Sequence, residues 1–368
     1  MTKPNEASQV FFFKYGGSRT YLRGLRLLFS EVAHVVSQGD SVAVKLHMGD
    51  YGSSNYLRPP LVHRVCDLIK EAGGKPFVTD TTVLYPVRRF TASQYLSTAA
   101  FNGFSMESLE APVIIAGGEQ GNDGEWVDIP KQVSDCPLDK IKVAREIINA
   151  DSMIALTHFK GHGLASFGGS IKNVAMGCVT KESKAAQHRA SRPELDPAKC
   201  TLCGECVEAC PYQALSIVGE RVERDDDKCQ SCDHCSEVCP EEAYCSPAGA
   251  KERFQIYLAH SASGVLSQFH NKAAFINFIQ DVTPLCDCAA PSGLPVVPDV
   301  GILASTDVVA AEKASLDLIS KAKPIGKYAG TVYTDILGQI HSTDSLVQIR
   351  TAQELGLGST TYQLREVE

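Results

Sequence analysis

Cys200-x2-Cys203-x2-Cys206-x3-Cys210-Pro211 recurs as Cys229-x2-Cys232-x2-Cys235-x3-Cys239-Pro240, with residues 211 to 228 between the two copies. Three thiolates two residues apart wrap a tight loop around three corners of an iron–sulfur cubane, and the fourth has to arrive from elsewhere in the chain. Paired Cys-x2-Cys units also suit tetrahedral zinc. Two four-cysteine runs that each close on proline, with no histidine in a ligand slot, favour iron and sulfide over zinc. Eight of the 14 cysteines lie in this stretch, and Cys66, Cys136, Cys178, Cys245, Cys286 and Cys288 lie outside it.

A second group of reactive side chains precedes the cysteine segment. Thr157-His158-Phe159-Lys160-Gly161-His162 runs on to Gly168-Gly169-Ser170-Ile171-Lys172-Asn173. Two imidazoles and an ammonium within five residues suit anion binding or proton donation, so His158, Lys160 and His162 are candidate catalytic groups. Gly168, Gly169 and Ser170 open a helix and could present free backbone N–H groups to an anion. Lys172 and Asn173 follow on that helix. Lys45 and His47, and then Asp80-Thr81-Thr82, close two earlier apolar stretches. If those strands are neighbours, all three polar ends converge on one crevice. None of them has the Gly-x-Gly-x-x-Gly order of a dinucleotide site or the lysine pattern of a P-loop. Cys286-Asp287-Cys288 sits in a Pro- and Gly-punctuated loop and could hold a metal or act as a redox thiol pair. Cys178 could face the same crevice. Cys66, Cys136 and Cys245 read as unliganded thiols, since free cysteine behaves as a small hydrophobe.

The elements that would carry these groups alternate. Strands are expected at Val10–Phe13, Ser41–Leu46, Lys75–Thr79, Val113–Ala116, Ser152–Thr157, Ala274–Ile279, Asp299–Leu303 and Thr361–Glu366. Helices are expected at Tyr21–Ser37, Pro60–Glu71, Ala92–Phe101, Leu138–Asn149, Lys251–His270, Val308–Ala322 and Thr343–Gly356. Such alternation predicts an α/β fold, an open and mostly parallel sheet with helices on both faces. Proline-marked edges at Ser191-Arg192-Pro193 and Ser246-Pro247 bound a small insert at 191–247. The α/β domain is therefore discontinuous, 1–190 and 248–368.

The composition bounds the remaining possibilities. A chain of 368 residues with 44% hydrophobic and 21% charged residues can bury a large core. Its formal charge of −8 opposes nucleic acid and anionic membrane. The chain shows no run of about 18 apolar residues, and Met1 to Gly16, with Lys3, Glu6 and Lys14, has no signal-peptide core. A cytoplasmic location is expected, where 14 cysteines are not explained by disulfides.

Over its whole length the insert resembles the bacterial two-cluster ferredoxin domain. The resemblance implies a small α+β ferredoxin-like unit with two [4Fe–4S] clusters and crossed ligands. Cys200, Cys203, Cys206 and Cys239 would hold one cluster, and Cys229, Cys232, Cys235 and Cys210 the other. The flanking motifs around Lys45 to Gly49, Thr157 to His162, Phe167 to Cys178 and Asp281 to Cys288, with Pro298-Asp299, Ser305-x-Asp307 and Ala314-Ser315, look like the family catalogued as domain of unknown function 362. That resemblance implies an iron–sulfur protein of the cytoplasm without a general reaction.

The leading functional reading is an oxidoreductase in which two clusters relay single electrons to or from a substrate or cofactor at the strand ends. It implies a redox partner protein, a ferredoxin or a reductase, and a small-molecule substrate, with a further metal or small anion as a third ligand. The competing reading is a non-enzymatic electron carrier or cofactor-assembly protein. A carrier has little use for the 311 residues outside a 57-residue insert, and that disproportion favours the enzyme.

Overall fold

Side chains of the central strands alternate between the two faces of the sheet, and both sets are buried. Val42, Val44, Val78, Ile154, Leu156, Ile276 and Ile302 enter one apolar cluster. Ala43, Phe77, Met153, Ala155, Phe275 and Leu303 enter another on the opposite face. Strands covered on both faces need near-continuous apolar sequence, which is what a helix-sandwiched sheet provides.

The computed structural model describes residues 7–17, 20–289 and 291–368, so Lys3 and Glu6 of the N-terminal reading lie outside the described residues. Its main sheet has eight strands: β1 (Ser8–Lys14), β2 (Ser41–Lys45), β3 (Lys75–Thr81), β4 (Val113–Ala116), β5 (Ser152–His158), β6 (Ala273–Ile279), β7 (Gly301–Ser305) and β8 (Tyr362–Glu366). Their order is β8-β1-β7-β6-β5-β2-β3-β4. All adjacent pairs are parallel except those of β7, which runs antiparallel to both β1 and β6. From β2 the chain moves outward through β3 to β4 and then returns to lay β5 on the other side of β2. That reversal is the topological switch point, where an open α/β sheet leaves a crevice beyond its carboxyl ends.

Helices α1 (Tyr21–Val32), α2 (Pro59–Glu71) and α3 (Ala92–Phe101) cover one face. The other face carries α4 (Ser170–Gly177), α5 (Lys181–His188), α6 (Ala250–Ser267), α7 (Val308–Lys321) and α8 (Leu346–Glu354). Phe254 and Leu258 of α6 pack with Ile171 and Val174 of α4 in this second cluster. Among the described residues, no helix is long and apolar enough to cross a membrane.

The helix expected over Leu138–Asn149 is instead a strand, Lys140–Ala144, followed by a single helical turn. It pairs with Gly124–Asp128 in a two-stranded ribbon. Ile141 and Val143 are buried while Lys140 is exposed, a period of two hidden inside apolar spacings of three and four.

The cysteine segment is closed at its base by pairing of Glu194–Leu195 with Tyr244–Cys245. It holds two short helices, Glu205–Ala209 and His234–Glu237, and a hairpin, Leu215–Val218 with Arg221–Arg224. Its internal duplication extends to the backbone. Leu202 and Ser231, Gly204 and Asp233, and Gln213 and Glu242 are three pairs of left-handed residues, each pair at the spacing of the cysteine repeat. Five of the six are not glycine, a strained choice that persists only where surroundings over-determine it.

One side chain ties the two chain ends together. Asp307 caps α7 by accepting from Ala310 N at 2.9 Å, and its other oxygen accepts from Ser8 Oγ at 2.6 Å and Ser359 N at 2.9 Å. Asp307→Ala removes a helix cap and orphans two further donors, and is expected to cost about 2–3 kcal/mol. Urea unfolding measures this; a loss below about 0.5 kcal/mol would show that the tie does not matter.

Candidate functional site

The crevice at the switch point has a volume of about 160 Å3. Its wall is built by the carboxyl ends of β2, β3 and β5, the start of α4, and the loops after β3 and β6. Lys45, His47, His158, Lys160, His162, Gly168, Gly169, Lys172, Asn173, Cys286 and Cys288 all line it, so the three polar strand ends converge. Ser170 does not. Its N–H donates to Glu312 at 2.5 Å, and its hydroxyl bonds Asn277 at 2.6 Å. The expectation of a free helix start at Ser170 is thereby corrected: a buried carboxyl already occupies the place of an anion. Cys178 is also turned away, into the apolar cluster beneath α4, where burial pushes its thiol up to about 12.

The crevice charges are mostly compensated. Lys45 pairs with Asp80 at 3.1 Å and donates to Asn173 Oδ1 at 2.6 Å. Burial opposes ionisation of Asp80, but Lys45 outweighs it and the carboxyl lies below its ordinary range. Gly177 makes this pair possible, since a Cβ there would come within 2.1 Å of Lys45 Nζ. Arg89 is buried, donating to Asp50 at 2.9 Å and standing 3.0 Å from His47 Nε2. Burial and the adjacent guanidinium lower His47 to about 4.

Asp287 joins the remaining groups. It lies 2.8 Å from His158 Nδ1 and 3.2 Å from Lys160 Nζ, while His158 Nε2 faces the Gln280 carbonyl at 2.8 Å. His158 therefore has an acceptor at each nitrogen and acts as a strut that orients Asp287. Burial would lower Lys160, but Asp287 and Cys286 hold its ammonium above the ordinary value. Despite burial, the neighbouring Cys288 thiol, with Lys172 and Lys160, brings the Cys286 thiol well below its ordinary value. His162 Nδ1 accepts from Leu164 N and Ala165 N at 3.2 and 3.1 Å, which leaves its proton on Nε2. Burial and Lys172 keep that ring neutral.

Lys172 has no carboxylate partner among the described residues. Lys184 also faces the crevice, donating to Thr81 Oγ1 at 2.5 Å and Val179 O at 2.7 Å, and burial lowers it to about 7. An acidified thiol, an ammonium without a carboxylate partner and the neutral His162 N–H make a site suited to an anionic or electron-rich ligand.

Sequence reading missed Arg89, Tyr85, Lys184, His188, Phe254 and Glu312. Lys181 and Lys184 stand three apart at the start of a helix, the only signal that could have marked one of them. Arg89 and Glu312 carry no local pattern and reach the site through tertiary packing.

Outside the crevice, the cysteine segment forms two cavities. Cys200, Cys203, Cys206 and Cys239 line one. Cys210, Cys229, Cys232 and Cys235 line the other. No three of these sulfurs come within 4.8 Å of one another. A single tetrahedral zinc with bonds of about 2.3 Å would hold them about 3.8 Å apart, so each set suits a larger core. Ala214 N donates to Cys210 Sγ at 3.3 Å and Ala243 N to Cys239 Sγ at 3.4 Å, equivalent bonds in the two copies.

The profile of the family described as Domain of unknown function (DUF362) matches residues 42–317. The chain belongs to that family. The DUF362 match spans the crevice lining from Lys45 to Cys288, and Glu312 behind it. The thylakoid-associated protein sll1697 of Synechocystis sp. is 26% identical over 182 residues, 48% of this chain and 50% of that protein. NADH-quinone oxidoreductase subunit I 2 of Geobacter metallireducens is 46% identical over 46 residues, 12% of this chain and 35% of that protein. The chain thus spans half or less of the curated relatives it matches. Among solved structures, the lactate racemase apoprotein from Thermoanaerobacterium thermosaccharolyticum aligns with a TM-score of 0.41 at 13% identity, covering 87% of this chain and 59% of that one.

Glu312 has a measurable signature. Burial raises its carboxyl from 4.5 to about 8, so the folded protein holds this proton more tightly than the unfolded chain. The resulting stabilisation is complete below pH 4.5 and is lost as pH rises through about 8. Glu312→Gln keeps an acceptor for Ser170 N–H and is expected to flatten that dependence in urea unfolding across the range. A variant that still loses as much stability as the native chain would place the ionisation elsewhere.

Proposed function

We propose that the protein is an iron–sulfur oxidoreductase that exchanges single electrons with an anionic substrate or cofactor in the switch-point crevice. Cys200, Cys203, Cys206 and Cys239 would hold one [4Fe–4S] cluster, and Cys210, Cys229, Cys232 and Cys235 the second. When bound, such clusters supply reversible one-electron storage.

The observation that carries the reading is the junction between the insert and the crevice. Tyr212 lines the cavity of the Cys229 set, and its hydroxyl donates to the Leu84 carbonyl at 2.5 Å. Leu84 is part of the crevice wall. A carrier that only docks to partners has no use for such a joint or for a charged crevice beyond it.

The chain's own residues have separable roles. Lys172 would attract and hold the anionic ligand, and the Nε2–H of His162 would donate to it. The Lys160 ammonium, fixed by Asp287 and His158, would hold a proton at the reacting atoms. Cys286 and Cys288 would serve as a redox thiol pair or bind a soft metal. The expected setting is the cytoplasm, with a soluble redox protein as partner.

Anaerobically purified protein is expected to contain about eight iron and eight labile sulfide per chain. Four or fewer would remove the two-cluster assignment. Cys210→Ala should damage the cluster of the second motif, seen as a halved iron count and altered electron paramagnetic resonance; damage restricted to the first motif would refute crossed ligation. For the crevice, Lys172→Met is expected to lose a co-purifying anion detectable by native mass spectrometry. Retention of the same anion by that variant would exclude Lys172 as its anchor.

A further inference from the structure

The chain's net charge is confined to one part of it. Residues 191–247 contain 13 aspartates and glutamates against 5 lysines and arginines, a formal −8, which is the charge of the entire chain. The other 311 residues balance 30 acids against 30 bases. The cysteine segment is thus an acidic knob on a neutral body.

The knob has an inner and an outer end. Its inner cavity, with the Cys229 set, meets the α/β domain through Tyr212 and Leu84. Tyr244 lines both cavities and stands between them. The other cavity, with the Cys200 set, is lined by residues of the cysteine segment alone and does not include Tyr212, so it is the outer one. Cys203 is exposed, whereas Cys232, its counterpart in the second copy, is half-buried. Glu205 and Glu241 line this outer cavity and are exposed. Beside it, with Ile217 reaching Gly204, Ile217 and Val218 are 42% and 48% exposed at the end of the hairpin.

We infer that this outer end is the docking face for a one-electron redox protein whose contact surface is ringed with lysine and arginine. The inference rests on the two-cluster reading above and adds the order of the two cysteine sets, Cys200 outward and Cys229 toward the crevice. The acidic residues attract a basic rim over a Debye length of about 8 Å at physiological salt and accelerate encounter. Ile217 and Val218 give the small apolar centre that a transient interface needs. Each encounter moves one electron: one partner is oxidised by one unit and the other reduced by one, with no bond made or broken and no proton moved.

The test uses the full chain, loaded with iron and sulfide and reduced anaerobically. It is mixed by stopped flow with a ferric, lysine-rich c-type cytochrome, or with the same cytochrome after succinylation of its lysines. The haem absorbance gives the rate. The native cytochrome is expected to react about tenfold more slowly at 0.3 M than at 0.02 M ionic strength, and about tenfold faster at low salt than its succinylated form. The double variant Ile217→Lys with Val218→Lys is expected to invert that preference partly, slowing the basic cytochrome and speeding the succinylated one. Glu31→Gln with Glu107→Gln, neutralising exposed acids of the α/β domain, should leave both rates unchanged. Full iron content with a rate indifferent to salt and succinylation overturns the docking face alone, as does an equal response to both double variants. Four or fewer iron atoms per chain overturn the two-cluster reading beneath it.

Discussion

The crevice depends on the reversal of strand order between β2 and β5. Two parallel neighbours whose crossover connections leave in opposite directions cannot both cover the gap beyond their carboxyl ends. Lys45 ends β2 and His158 ends the neighbouring β5, three residues beyond Lys45's register partner Ala155, and Asp80 lies one residue before the end of the next strand out. Had β5 been added beyond β4, these three ends would lie too far apart to share a ligand.

The site then has to keep many ionisable groups in a buried space. It does so by pairing: Lys45 with Asp80, Lys160 with Asp287, Arg89 with Asp50. A buried charge with a well-placed counter-charge escapes most of the desolvation penalty, and a lone one would neutralise. Lys184 and Glu312 illustrate the latter, the amine lowered to about 7 and the carboxyl raised to about 8 by burial. The exception is Lys172, which has no carboxylate partner among the described residues and shares the crevice lining with Cys286. That imbalance is the basis of the proposal that the crevice takes an anion.

The insert is organised on a different principle. Its two copies share cysteine spacing, left-handed backbone positions and an N–H to sulfur bond, so each copy has the same local geometry. Symmetry alone would make the two ends equivalent. The attachment to the α/β domain breaks it, because only the Cys229 cavity meets Tyr212 and, through it, the crevice wall.

The sequence by itself determined most of the strands and helices, since apolar periodicity is a local property and the core only has to accept it. It also determined the eight-cysteine repeat, where short fixed spacings impose the loop geometry. It misjudged Lys140–Ala144, where apolar spacing suited two periods, and it offered Ser170 as a free helix start because nothing nearby in the chain foretells Glu312, 142 residues away. Which end of the insert meets the α/β domain and which cations remain unpaired among the described residues were decided only by tertiary structure. Those properties depend on distances between residues far apart in sequence, and only the folded chain fixes such distances.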